Sequence, residues 1–282
     1  MKPEIYSFST QHSLTLSASF YRSSAKLKNH TIIYLHGGGL IWGDRDDLPH
    51  DYIELFLKAG YHFLTIDYPL APETALPEIY ASTVTAVEWF SAHFDTLLKL
   101  PTNDYSLFGR SAGAYLSLLL GNDSNLPQRP KKIISFYGYY SIQQPFYFLP
   151  NKHYQSYPDI PKVLMEQLIQ PAPLAKGLLE NRYAIYIYCR QKGKWLDLVL
   201  PNNTSAAQFS LTDKELAELP PTFIAQSKTD QDVPFQTAKH LAETILSTEL
   251  VAIENANHDF DSNPTNEAAM ETYEKVIDWL NA

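Results

Sequence analysis

Residues 104–121 read DYSLFGRSAGAYLSLLLG. An apolar run, a turn of small residues and a helical run follow one another in that order. The turn holds Gly109-Arg110-Ser111-Ala112-Gly113, a G-x-S-x-G pattern. A serine on so sharp a strand-to-helix turn takes strained backbone angles that push its hydroxyl out into a cleft. Positions two before and two after it must be bare, because strand and helix backbones nearly touch there. The helix starting beneath Ser111 adds about half a positive charge and leaves N–H groups without intrahelical acceptors. The stretch thus predicts a nucleophile and a sheet whose strands hand over directly to helices. A purely structural tight turn is the competing reading, and the strand–turn–helix setting disfavours it.

The same alternation runs outward in both directions. EIYSF and LTLSASFY near the start read as a hairpin, the second with alternating faces. TIIYLHGGG, YHFLTIDYP, KKIISFYGYY, PTFIAQS and ELVAIENAN read as further strands. Helical spacing appears in DYIELFLKAG, closed by Gly60, in the long ALPEIYASTVTAVEWFSAHFDTLL, in PFQTAKHLAETILS and in TNEAAMETYEKVIDWLNA. The prediction is an α/β fold: a mostly parallel eight-stranded sheet with helices on both faces. Ligands of such sheets meet the loops at the carboxyl ends of the strands, where the serine turn falls. Residues 139–218 break the rhythm with Pro145, Pro150, Pro158, Pro161 and Pro171 and the aromatic run RYAIYIYCRQKGKW. They read as a cap inserted into a core made of 1–138 and 219–282.

Composition narrows the function classes. The chain has 282 residues, 45% hydrophobic and 19% charged, with a net charge of −9 and no basic stripe. Neither nucleic acid nor an anionic membrane surface is expected as a partner. No run reaches the ~18 apolar residues of a membrane span, and Met1-Lys2-Pro3-Glu4-Ile5 lacks the apolar core of a signal peptide. Cys189, the single cysteine, excludes an internal disulfide and suits a reducing compartment, with the cytoplasm as the expectation. A homodimer paired through edge strands stays open.

A second glycine-rich stretch, LHGGGLIWGD at 35–44, ends a predicted strand. Acyl transfer needs N–H donors aimed at the developing oxyanion, each worth on the order of 10²–10³ in rate. The residue after the nucleophile, Ala112, supplies one. Gly37 and Gly38 suit the others, since no side chain blocks a substrate carbonyl there. A phosphate loop fits less well, because neither G-x-G-x-x-G nor Gly-Lys-Ser/Thr is present; a structural glycine turn is the other alternative. His36 reads as a scaffold residue of this loop.

A serine hydroxyl also needs a general base with a carboxylate behind it. Of nine histidines, His258 in ENANHDFDS falls at a strand's carboxyl end, before the last helix. His12, His30, His62, His93, His153 and His240 read as surface or core residues, and His50, near Asp44, is a second candidate. Asp230 and Asp232 in AQSKTDQDVPF are the candidate acids, with Asp230 preferred because it stands further before Pro234. On the alternative reading both aspartates cap the helix that follows.

Together HGGG with WGD, DYPLAPE at 67–73, GRSAG at 109–113, TDQDVP at 229–234 and NHDF at 257–260 resemble the hormone-sensitive-lipase-like esterases of the α/β-hydrolase superfamily. The resemblance implies an α/β-hydrolase fold and hydrolysis of acyl esters without metal or organic cofactor. It also implies that Asp67, Tyr68, Pro72 and Glu73 buttress the oxyanion loop. Two positions depart from it: Arg110 stands where the family carries an acid, and Gly113-Ala114 where it often carries Gly-Gly. The expected function is a serine hydrolase of small to medium carboxylic esters, acting through Ser111, His258 and Asp230 and an acyl-enzyme. An amidase or peptidase of the same fold, or a non-catalytic ligand receptor, is the alternative. Tyr139, Tyr140, Phe146, Tyr147, Phe148 and Tyr154 are read as either pocket lining or core of the cap, YAIYIYCRQKGKW as a helix over the site, and Cys189 as packing.

Overall fold

The central strands of this chain are buried on both faces, which only a sheet covered on both sides can accommodate. The computed structural model describes residues 2–10, 14–25 and 28–282. Its eight strands are β1 (Glu4–Ser9), β2 (Thr15–Tyr21), β3 (Thr31–Leu35), β4 (His62–Ile66), β5 (Tyr105–Arg110), β6 (Ile133–Phe136), β7 (Thr222–Ser227) and β8 (Thr248–Ile253). They form one sheet in the order β1-β2-β4-β3-β5-β6-β7-β8. β1 pairs antiparallel with β2 and β2 antiparallel with β4; the other neighbours are parallel. This is the predicted α/β-hydrolase arrangement. His12 and the turn of the predicted hairpin lie outside the described residues.

Period-two alternation sorts the strand side chains into two cores. Ile33, Leu35, Leu64, Ile66, Leu107, Ile133 and Ile224 face one side, Ile32, Tyr34, Phe63, Phe108, Ile134, Phe136 and Phe223 the other. On the first side pack α2 (Leu76–His93), α3 (Ala112–Asn122) and α10 (Phe235–Thr244), and on the second α1 (His50–Lys58) and α11 (Glu267–Asn281). The second core is strongly aromatic: Tyr52 stacks on Tyr273 at 3.8 Å, and Phe56, Phe108 and Phe136 crowd edge-on around it. Between β6 and β7 the chain runs through α4 (Pro145–Phe148), α5 (Lys152–Gln155), α6 (Lys162–Leu168), α7 (Leu179–Lys192), α8 (Trp195–Val199), a 3₁₀ turn at Ala206–Phe209 and α9 (Asp213–Ala217). Among the described residues no helix is long and apolar enough to cross a membrane.

Several elements are shorter than their sequence pattern, and two show why. α2 stops at His93, where the N–H groups of Leu97 and Leu98 both turn back onto the His93 carbonyl. The KKIISFYGYY strand ends at Phe136, because Tyr137 takes a φ of 41° and leaves the sheet.

Candidate active site

The sheet order itself opens the site. β3 and β5 are neighbours, yet the chain leaves β3 toward α1 on one face and β5 toward α3 on the other. Diverging connections of this kind leave a crevice at the strand ends. Ser111 stands there with φ 52° and ψ −116°, its N–H donating to the Phe136 carbonyl at 2.9 Å. A Cβ on Gly109 would lie 2.2 Å from the Gly113 carbonyl oxygen, and one on Gly113 would lie 2.1 Å from that of Leu35. Both positions must therefore be glycine for the turn to close.

Across the crevice lies the glycine loop. Gly37 adjoins the serine, its absent Cβ only 3.5 Å from that of Ser111. Gly38 has φ 97°, and its carbonyl accepts from the N–H groups of Ile41 and Trp42, which curls the loop upon itself. The N–H groups of Gly37, Gly38 and Ala112 have no acceptor among the described residues. His36 stacks on Tyr68 at 4.1 Å and its Nδ1 lies 2.8 Å from the Gly37 carbonyl, while burial holds its ring below the ordinary histidine value. Tyr68 donates to the His36 carbonyl at 2.7 Å, Asp67 accepts from Arg45 at 2.7 Å, and the Ala71 N–H donates to Leu40. Glu73 forms two parallel bonds with Arg182 of α7, at 2.8 and 2.7 Å. The DYPLAPE segment is thus laced to the loop on one side and to α7 on the other.

His258 joins the serine from the loop after β8. Its Nε2 is 2.9 Å from Ser111 Oγ and its Nδ1 2.7 Å from Asp230 Oδ2. The Asp230 side chain has no exposed surface. Its other oxygen accepts from the N–H groups of Asp232 and Val233, and Gln226 donates to Oδ2, so the carboxylate cannot rotate. Burial disfavours the imidazolium of His258, but the Asp230 carboxylate, with Asp232 and Asp259 behind it, outweighs burial and raises the ring to about 9.

Asp232 points elsewhere. It accepts from Tyr154 at 3.0 Å and Tyr186 at 2.7 Å and pairs with Arg190 of α7. Burial alone would raise its carboxyl; Arg190 and His258 more than reverse that and lower it. Neither aspartate caps α10, whose preceding residue is Pro234 with no side-chain cap. The capping alternative is thereby corrected, because Asp230 is already engaged by the turn before the helix. His50 opens α1 edge-on to Tyr21, away from the serine. His30, His62, His93 and His240 direct ring nitrogens to Ser106, the Ser23 N–H, the Trp89 carbonyl and Asp213.

The crevice continues into a cavity of about 410 Å³ bounded by Gly37–Gly39, Ser111 and His258 below and Trp42, Tyr154, Tyr157, Tyr183 and Tyr186 above. Of the aromatics read as possible lining, only Tyr154 belongs to this wall. Tyr139 stacks on Tyr115 and Tyr147 packs on Trp195, both in the core, whereas Phe148 is exposed at 44%. Leu179, Tyr183 and Tyr186 of the wall come from α7, the helix expected over the site. Cys189 lies on its inner side, without exposed surface, and burial pushes its thiol above the ordinary range. Sequence reasoning missed Arg182, Arg190, Tyr137 and Asp261. Only the three-residue spacing of Tyr183 and Tyr186 and the nearness of Asp261 to His258 could have signalled them.

Such a site can pass a proton from a serine hydroxyl to an imidazole backed by a fixed carboxylate, with free N–H groups opposite. The sequence profile of the alpha/beta hydrolase fold family matches residues 32–262. The acetyl esterase of Salmonella typhi is 36% identical over 123 residues, covering 40% of this chain and 36% of its own. Curated relatives are matched over 12% to 36% of their own length. A Staphylococcus aureus Mu50 protein of unknown function superposes with a TM-score of 0.88 at 30% identity, covering 99% of this chain and 98% of that one. An alpha/beta hydrolase superfamily protein from Enterococcus faecalis gives 0.82 at 27%, with the same coverage. With its serine turn, its sheet order and a matching profile over most of its length, the chain belongs to the α/β-hydrolase fold family, in the hormone-sensitive-lipase-like group its motifs resemble.

Proposed function

We propose that the protein hydrolyses small to medium carboxylic esters through an acyl-enzyme on Ser111. The observation that carries this reading is the unbroken hydrogen-bonded line from Ser111 Oγ through His258 to Asp230, beside glycine N–H groups without acceptors among the described residues. Likeness to an acetyl esterase supports it. His258 takes the hydroxyl proton as Oγ attacks the ester carbonyl, and Asp230 orients the ring and stabilises its charge. The N–H groups of Gly37, Gly38 and Ala112 hold the tetrahedral oxyanion. His258 returns the proton to the leaving alkoxide, freeing the alcohol. Water then attacks the acyl-serine by the same steps and releases the acid. Residues 139–218 act as a cap on the core of 1–138 and 219–282, and their helix α7 limits acyl and alcohol size.

A fluorophosphonate probe tests this reading directly. It is expected to form one adduct, at Ser111, and to abolish ester turnover in step with labelling; turnover persisting in fully labelled protein, or an adduct elsewhere, overturns it. The pH profile follows from His258. The neutral ring is the base, so kcat/KM rises about tenfold per pH unit up to about 9 and then levels. Asp230→Asn removes the charge that raises the ring, so this limb moves to lower pH while the plateau falls by about 10⁴-fold. Initial rates on a short-chain nitrophenyl ester, corrected for spontaneous hydrolysis, check both.

A further inference from the structure

Beside the serine and histidine lies a second polar cluster that the steps above do not use. Arg110 precedes the nucleophile and is buried, at 7% exposure. Its Nε donates to the Tyr137 hydroxyl at 2.7 Å, its Nη2 to Asp261 Oδ1 at 2.9 Å, and its Nη1 reaches Asp47 at 3.4 Å. Tyr137 donates to the same Asp261 oxygen at 2.6 Å and Tyr273 to the other at 2.6 Å. Asp261 has no exposed surface and lies on the His258 loop, three residues further on. The Arg110–Asp261 pair therefore ties the nucleophile's turn to the histidine's loop.

Tyr137 occupies the gap between them. At the end of β6 it adopts φ 41°, a backbone conformation that L side chains hold only where surrounding structure enforces it. Its N–H is fixed on the Ala225 carbonyl at 2.7 Å and its hydroxyl is gripped by Arg110 and Asp261. Held at both ends, the ring lies 4.7 Å from the His258 imidazole, inclined at 59°. Asp230 holds the imidazole by its Nδ1 edge, which still allows the ring to tilt about that bond. The Tyr137 ring blocks the tilt on its side. We propose that Tyr137 is a positioning residue for His258, clamped by the Arg110–Asp261 pair so that Nε2 stays on the serine hydroxyl. This rests on His258 being the base. A base must lie within about 2.6–3.2 Å of the proton it takes, and a misplacement of about 1 Å can cost 10²-fold.

Removing Arg110 or Asp261 would strand a buried charge, so the test uses Tyr137. Tyr137→Leu, which deletes the ring, is expected to lower kcat 10- to 100-fold on a short-chain nitrophenyl ester, with KM within about twofold. Tyr137→Phe keeps the ring and should restore kcat to within a few-fold of wild type, whereas a merely structural role would not separate kcat from KM. A folded Tyr137→Leu protein with wild-type kcat overturns the proposal. So does a loss confined to KM. Should Tyr137→Leu not fold, Tyr137→Phe carries the test alone. It keeps the ring but frees it from Arg110 and Asp261, so a two- to fivefold fall in kcat at constant KM is expected, and a wild-type kcat overturns the clamp. Fluorophosphonate labelling of Ser111 in the wild type separates the two readings: labelling with an indifferent Tyr137→Leu defeats only the positioning role, and no labelling defeats both.

Discussion

Ser111→Ala is expected to lower kcat on a short-chain nitrophenyl ester by about 10⁶-fold. The atom removed is the one that bonds to the acyl carbon, and nothing else at the strand ends can replace it. His258 Nε2 loses its only partner among the described residues but keeps Asp230 on its other nitrogen, so the imidazole stays in place. The residual rate comes from the oxyanion donors and binding alone, about 10³–10⁴ over water. The fold should not suffer. Alanine meets the same φ of 52° that serine does, and the lost hydrogen bond faces the cavity. A thermal melt within a few degrees of wild type, measured with the initial rates, separates a missing nucleophile from a damaged protein. Turnover within tenfold of wild type would end the acyl-enzyme reading.

Arg182→Ala is expected to destabilise the protein by about 3–5 kcal/mol, the cost of leaving one partner of a buried pair uncompensated. Arg182 and Glu73 have side-chain exposures of 3% and 2%, and their two bonds form a fork. The guanidinium also donates to the carbonyls of Ile41 at 2.6 Å and Ala71 at 2.7 Å. Those carbonyls belong to the stretch after the glycine run and to the DYPLAPE segment, so one residue of α7 fastens both. Its loss therefore affects the oxyanion loop as well as stability, and kcat/KM should fall along with the urea midpoint. An unchanged midpoint at constant denaturant slope would show that the fork contributes nothing.

Local pattern made most of this molecule legible. All eight strands fall where apolar runs meet turn residues; β3 to β7 are buried at every position and so leave the strongest apolar signature, while the edge strands β1 and β8 are marked by their bounding turns. The serine turn is readable because its glycines answer mostly to contacts within a few residues, apart from Leu35 and His36. Asp230 could be ranked above Asp232 from distance to Pro234, yet what Asp232 does was hidden. Its partners Tyr154, Tyr186 and Arg190 are 42 to 78 positions away. The local pattern reads Tyr137 as a strand residue, because what holds it, Arg110 and Asp261, lies 27 and 124 residues away. The cavity wall was sought in the aromatic stretch after β6, but a helix presents only every third or fourth residue to one side. Tyr183 and Tyr186 satisfy that spacing, and the scattered aromatics of 139–148 mostly fill the interior instead.

The burial of Cys189 on the inner side of α7 has a practical meaning. A thiol sealed in this way reacts with an alkylating reagent only during the moments when its helix lifts from the body of the protein. The rate of that alkylation under native conditions would count those openings one by one. The chain thus carries its own reporter of local opening at this helix, installed at its single sulfhydryl and needing no engineered label.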